Sequence, residues 1–369
     1  MAKKTHTKNR RKTPLLFGLT FRLILIIAGI SLVISYASVY INPSKFGLPL
    51  FFGLYFVPII IVNLLLLIIA LSRRSKSAWI PAMALLPTLM FTDLFYKIGS
   101  ENKTDVEGIK LKIESYNVGM FSSSKTKESR EECRTKVIRH ITENNPDIAC
   151  FQEFYADTKT QIDSLFPGYK YRYYHVFKIR NGKYFGNLII SRFPIVSQGK
   201  ISFRRSTNLS IYADIDHFGR IIRIYNNHLE SYNVSFTSLI QKLNGKEKIA
   251  GEEIKNDIKE VHEKMLGTFI KRSDQVNKIL ENISLSAHPA IICGDFNDTP
   301  MSFTYHRLVN GRKDSFREAG SGFGATFIPV WPLLRIDYIL YPQEFGDINH
   351  KTHNIKLSDH YPISTEIII

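Results

Sequence analysis

A chain of 369 residues with 44% hydrophobic residues is longer than one ordinary domain, short for three, and too apolar for a disordered polymer. Its formal charge of +16 is uneven: residues 1–100 carry twelve lysines and arginines against one acid, Asp93, which leaves about +5 for everything after them. The charge is therefore a weak argument for a polyanionic partner, and three scattered cysteines exclude a disulfide scaffold.

Three apolar stretches come first. Residues 15–40 and 48–71 are each long enough for a bilayer core, which takes about 20 residues. Residues 78–96 form a weaker stretch, with Pro81, Pro87 and Asp93 inside it. The first is too long for the apolar part of a cleaved leader, and Arg22 within it is expected to snorkel to the nearer surface. The basic head, Lys3, Lys4 and Arg10 to Lys12, and the loop Arg73-Arg74-Ser75-Lys76 predict cytoplasmic ends. With three spans, the chain after about Lys97 lies on the non-cytoplasmic side. If the third stretch is re-entrant, it stays inside.

A polar linker is expected over 99–108, and one large domain over 109–369. Strands are predicted at 110–116, 148–151, 184–191, 210–216, 221–227, 290–293, 336–340 and 364–369, each a short apolar or alternating run. An amphipathic helix is predicted over 129–144, stopped by Asn145-Pro146. Residues 237–283 read as mostly helical and highly charged, either as a solvated face or as a lid. Cys150 and Cys293 sit in apolar runs and read as small core residues. Strands alternating with helices and mixed with hairpins imply layers of sheet and helix.

Five polar clusters close the apolar runs. They are Ser115 to Gly119, Cys150 to Glu153, Tyr225 to Glu230, Gly294 to Pro300, and the pair Arg335 to Ile339 with Ser358 to Ile363. In each, an acid, amide or imidazole stands at the tip of a buried strand, where a rigid sheet can hold a reactive group. Hard oxygen ligands such as Glu153 suit Mg²⁺, and His228 and His360 can donate to phosphate oxygens or move protons near neutral pH. Singly, each cluster has a plain structural reading. Asp337 could pair with Arg335, His228 could be a half-buried histidine, and Asp295 to Asp298 could be a turn.

Taken together and in order, Asn117, Gln152-Glu153, Asn226-Asn227-His228, Gly294-Asp295-Phe296-Asn297, Arg335-Ile336-Asp337-Tyr338 and Ser358-Asp359-His360-Tyr361-Pro362 resemble the endonuclease/exonuclease/phosphatase superfamily over about 109–369. The resemblance implies an α/β fold: a four-layer sandwich of two packed mixed β-sheets flanked by helices, here preceded by membrane helices. It implies Glu153, Asn117 and Asp359 at a metal, Mg²⁺ or alternatively Mn²⁺. Asp295 would activate water, Asn297 would hold the nucleophile or phosphate, His360 would bind the phosphate, Asp337 would orient His360, and His228 would bind a phosphate oxygen or act as general acid.

The function expected is a bilayer-tethered, metal-dependent phosphodiesterase. A nuclease ranks first, a lipid or small-phosphoester hydrolase second, and a non-catalytic binding protein on the same fold third. The bilayer and the phosphodiester substrate are the partners expected. The excursion 231–271 is a candidate cleft wall, the aromatic run 323–334 could contact a base or a lipid or only pack on the domain, and Asn187 is a candidate cleft residue.

Overall fold

A computed structural model describes residues 15–99, 108–122, 128–204, 206–232 and 251–369. The basic head, most of the expected linker and residues 237–250 of the expected helical excursion lie outside them.

Two six-stranded mixed sheets stack face to face. The first has the order β13-β14-β2-β3-β5-β4, built from β2 (Lys110–Asn117), β3 (Ile148–Ala156), β4 (Tyr171–Lys178), β5 (Tyr184–Ser191), β13 (Gly346–Thr352) and β14 (Ile363–Ile368). The second has the order β10-β12-β9-β8-β7-β6, built from β6 (Ile195–Ser202), β7 (Leu209–His217), β8 (Arg220–His228), β9 (Ala290–Asp295), β10 (Arg312–Asp314) and β12 (Asp337–Pro342). Their inner faces share one core, in which Ile113, Ile148, Cys150 and Ile189 meet Ile211, Ile224, Cys293 and Ile339. All three cysteines are buried and none is in a disulfide.

Helices cover the outer faces. The longest on the first sheet, α5 (Arg130–Asn144), begins with a capping box between Ser129 and Glu132 and ends at Asn145 in the left-handed conformation. Its Val137 and Ile141 pack on Phe151 and Leu188. The charged helix α7 (Gly251–Ser284) covers the second sheet with Val276 and Ile279 against Tyr225 and Ile292. The four-layer expectation holds. The helix is more than a solvated face, since its apolar stripe closes a core.

Each sheet has one parallel pair near its middle, β2 beside β3 and β8 beside β9, in registers that bring Asn117 opposite Gln152 and His228 opposite Asp295. β12 runs antiparallel to β9 and sets Asp337 opposite Asp295. These strand tips share one edge of the sandwich.

Among the described residues, the apolar N-terminal region holds four α-helices. α1 (Leu15–Ala37), of 23 residues, is about 35 Å long at 1.5 Å per residue. The second apolar stretch is not one straight helix: α2 (Leu48–Leu54) and α3 (Phe56–Ser72) meet at Tyr55 with a bend of 73°. The third is α4 (Trp79–Leu85) continued by a 3-10 run over Leu86–Leu94, with Pro87 at its start. Residues 18–37 and 76–94 are long and apolar enough to cross a membrane, and the bent pair makes a third crossing if it acts as one span. Arg73, at the end of α3, lies over the Phe21 ring near the start of α1 (5.4 Å), so these two ends share one side.

The opposite ends meet the sandwich. Ser38 Oγ donates to the Met301 carbonyl (2.6 Å), and Arg317 Nε and Nη2 donate to Asp93 (2.9 and 2.7 Å). The Phe51 ring stacks on His262, 4.5 Å away. β1 (Tyr96–Lys97) pairs with β11 (Gly322–Phe323) as a separate two-stranded ribbon.

Candidate active site

All eight residues singled out in the sequence converge at the shared edge. Asp295, the last residue of β9, is the hub. Its Oδ2 accepts from Asn117 Nδ2 (2.9 Å) and Asn297 Nδ2 (3.1 Å), and it lies 3.7 Å from His360 Nε2 and 3.9 Å from His228 Nε2. His228 Nε2 is also 3.5 Å from Glu153 Oε1, to which Asn117 donates at 3.3 Å. On the far side of His360, Nδ1 bonds Asp337 Oδ2 at 2.8 Å. Ser358 Oγ bridges the Asn117 carbonyl (2.8 Å) and Asp359 Oδ1 (3.1 Å), which ties the last loop to β2.

The backbone is bent to aim these groups. The pairing of β3 with β5 slips between Phe151 and Phe154, and Glu153 within that bulge has φ of 51°. A bulge leaves one residue unpaired and re-aims its side chain. Asn297 has φ of 52°, with its N–H on Asp295 Oδ1 (2.8 Å). Both are uncommon conformations for side-chain-bearing residues, which cost of order 1–3 kcal/mol and persist where surrounding structure holds them.

Behind the site lies a layer of buried amides. Gln152 Nε2 donates to Asn226 Oδ1 (2.7 Å), and Asn226 Nδ2 donates to the Phe151 and Leu188 carbonyls (2.9 Å each). Asn187 belongs here and not in the cleft, because its Nδ2 donates to the Leu209 and Asn226 carbonyls. Asp337 does not pair with Arg335. That guanidinium holds Asp314 instead, through Nη1 at 3.0 and 2.7 Å.

Burial and charge set the electrostatics. Burial disfavours charge on His360, but Asp337 and Asp295 outweigh it and lift its pKa to about 10, so the ring is an imidazolium at neutral pH. Burial pushes the Asp295 carboxyl up to about 6, against the pull of His360. Burial also raises Glu153, which Asp359 and Asp337 reinforce, and it lowers His228. Glu153, Asp295, Asp337 and Asp359 thus crowd one small volume, an excess of negative charge that a cation relieves. Asp295, Asp337 and His360 have ligand atoms within 4.8 Å of one another. The Nδ1 of His360 is spent on Asp337, however, so these two read as a hydrogen-bonded pair with Asp295 3.7 Å beyond the ring. Glu153 and Asp359, which face the cavity, are the hard oxygen donors that fit a divalent ion.

The site opens into a cavity of about 800 Å³. Its floor is Glu153, Asp295, Asn297, Asp359 and His360. The segment 231–271, read as a cleft wall, gives Ser231, Tyr232 and Met265, and the aromatic run 323–334 gives Phe327, Val330, Leu333 and Leu334. Phe327 also packs its ring on His360 (5.3 Å). The remaining wall, Gly53 to Pro58 with Phe95, comes from the N-terminal helices. Nothing in the sequence placed those residues at the site, since apolar runs carry no signal of what they enclose.

The endonuclease/exonuclease/phosphatase family model matches residues 115–360. The chain belongs to that family. It is a phosphoester hydrolase, and the family is divalent-metal dependent. A second family model, described as a domain of unknown function, matches residues 17–93. No curated protein matches the chain. Among solved structures, an endonuclease/exonuclease/phosphatase from Bacteroides vulgatus is 16% identical with TM-score 0.52, over 71% of this chain and 99% of that one. A family protein from Leptotrichia buccalis C-1013-b is 18% identical with TM-score 0.51, over 70% of this chain and 100% of that one. One from Bacteroides thetaiotaomicron is 16% identical with TM-score 0.50, over 72% of this chain and 99% of that one. At such identities the likeness is one of fold.

Proposed function

We propose that the chain is a membrane-anchored phosphodiesterase in which His360, His228 and Asn297 grip the phosphate and Asp295 orients and deprotonates the attacking water. The observation that carries this is the Asp295 carboxylate, which two amides hold and two imidazoles flank. A base with a pKa near the working pH is best matched to proton transfer, and Asp295 is lifted toward that range. Asp337 keeps His360 charged and oriented, so that preorganised positive charge meets the phosphate oxygens. Glu153 with Asn117 and Asp359 would hold Mg²⁺ or Mn²⁺. When bound, such an ion supplies charge neutralisation at the phosphate and a more acidic water.

We further propose that residues 1–98 form the anchor, with three passes over 15–40, 48–71 and 78–96, that 99–108 link it to the hydrolase domain 109–369, and that this domain lies on the non-cytoplasmic side. Of the substrate classes that the sequence left open, nucleic acid is disfavoured. Among the described lining residues of the cavity there is no lysine or arginine, whereas a phosphate-backbone track needs them.

The test is hydrolysis of bis(p-nitrophenyl) phosphate by the full chain in detergent. We expect turnover with Mg²⁺ or Mn²⁺, none after chelation, and a fall of about 10²–10⁴ in kcat for Asp295→Asn. Near-unchanged rates in that variant would refute the role of Asp295, and chelator-resistant turnover would refute the metal.

A further inference from the structure

We propose that the substrate is a membrane lipid phosphoester whose hydrocarbon chain enters the catalytic cavity sideways from the bilayer, at the break between α2 and α3. The chemistry rests on the hydrolase reading above; the substrate class rests on the cavity walls.

The cavity has two chemically different halves. The floor is the acid, amide and imidazole set. The wall is hydrocarbon, with Leu54, Val57, Met265, Val330, Leu333 and Leu334 facing the same space. Tyr55, Tyr232 and Phe327 add rings and Ser231 and Thr299 add hydroxyls, but the aliphatic side chains find no match in a soluble sugar or nucleotide phosphoester. An alkyl chain gains about fourfold in affinity for each methylene buried.

The wall also belongs to the apparatus that meets the bilayer. α2 lies across α7, with Leu50 and Phe51 on Met265 and Phe269, while α3 turns away by 73°. Tyr55, at the corner, both lines the cavity and is 47% exposed. Beyond it, α3 exposes Ile61, Leu65, Ile68 and Leu71, the surface of a helix that faces hydrocarbon. Tyr55 thus joins the cavity wall to the exposed apolar face of α3. A chain passing from the bilayer along α3 to Tyr55 and on to Leu334 stays in apolar surroundings, and the phosphate it carries arrives over His360. Aromatic residues favour this interfacial depth, and Tyr55 stands at the helix break there.

The reaction is hydrolysis. The water oxygen forms a bond to phosphorus as its proton passes to Asp295. The bond from phosphorus to the ester oxygen breaks, and that oxygen takes up a proton and leaves as an alcohol. Of the two products, the one with the hydrocarbon chain returns to the bilayer.

The experiment uses the full chain at fixed detergent with p-nitrophenyl alkyl phosphates from butyl to decyl. We expect kcat/KM to rise steeply along the series, toward about 10³-fold as the six added methylenes are buried, Leu334→Asp to flatten the rise, and Leu334→Met to preserve it. A flat series, or faster turnover of plasmid DNA or RNA than of the decyl diester, would overturn the lipid class and leave the hydrolase reading standing. If no phosphodiester is turned over, the phosphodiesterase reading falls, and binding decides the lipid class. A phospholipid bearing a diazirine on its acyl chain, photolysed with the full chain in nanodiscs, should label peptides holding Tyr55, Met265 or Leu334. Labelling confined to the outer surfaces of α1 and α3 would overturn the inference.

Discussion

Gly294 shows how tightly a single residue sets this site. Its φ is +132°, and a Cβ there would lie 2.0 Å from the Asn227 carbonyl oxygen, on the strand that carries His228. No flexible side chain can yield, because the clash is with backbone. Gly294→Ala is expected to cost about 1–3 kcal/mol of stability and to push Asp295 off its amides, which a lowered unfolding midpoint together with a lowered kcat would show. A midpoint equal to wild type would mean that β8 and β9 separate easily. The eight candidate residues were legible in the sequence through the order of the motifs and their resemblance to the family, since each polar cluster taken singly had a plain structural reading. The imidazolium of His360 followed from the expected Asp337 partner; the second pull, from Asp295, did not, because only the folded sheets bring that carboxylate near the ring.

Away from the site, burial holds His353 down to about 3 and His350 to about 4, whereas an unfolded histidine titrates near 6.5. Below pH 6.5 the unfolded chain takes up protons that the folded one refuses, so stability falls as pH drops from about 6.5 toward 4. The thermal midpoint should be lower at pH 5 than at pH 7.5, and a His350→Gln, His353→Gln double variant should lose part of that difference. Equal acid sensitivity in the variant would remove these two rings from the explanation.

At the scale of elements, the division between legible and illegible strands is physical. The eight inner strands of the two sheets were each predicted within a few residues; the four at the edges, β4, β6, β10 and β13, were not. Inner strands are covered on both faces and read as apolar runs. Edge strands carry polar residues toward solvent, as Ser197, Gln198 and Lys200 do in β6, which blunts them against pairing with other chains and hides them from periodicity. The helix α5 was legible for the opposite reason, since its start is written locally. Ser129 Oγ accepts from the Glu132 N–H (3.3 Å), and Glu132 Oε2 accepts from the Ser129 N–H (2.7 Å). Ser129→Ala should cost about 1 kcal/mol, measured as a lowered unfolding midpoint with activity unchanged, because the cap lies outside the cavity. A loss of activity at unchanged stability would contradict that view.

For the whole molecule, the direction of each apolar stretch leads to an expectation of the side on which the hydrolase works. α1 ends at the sandwich through Ser38, α3 begins there at Phe56, and the last pass returns there through Asp93 and the β1–β11 pairing. The other ends gather Phe21 and Arg73, with Arg74 and Lys76 close by in sequence. The basic loop and the sandwich are therefore at opposite ends of the helices. Loops rich in lysine and arginine stay in the cytoplasm, so the sandwich is expected outside it. The three native cysteines are buried, which makes single introduced cysteines clean reporters. Lys170 is exposed on the sandwich and Lys76 on the basic loop. In intact cells a membrane-impermeant maleimide should label Lys170→Cys and spare Lys76→Cys until the membrane is permeabilised. The reverse pattern would place the hydrolase in the cytoplasm. The cavity would then face the inner leaflet, and lateral access for a lipid would remain while its source changed.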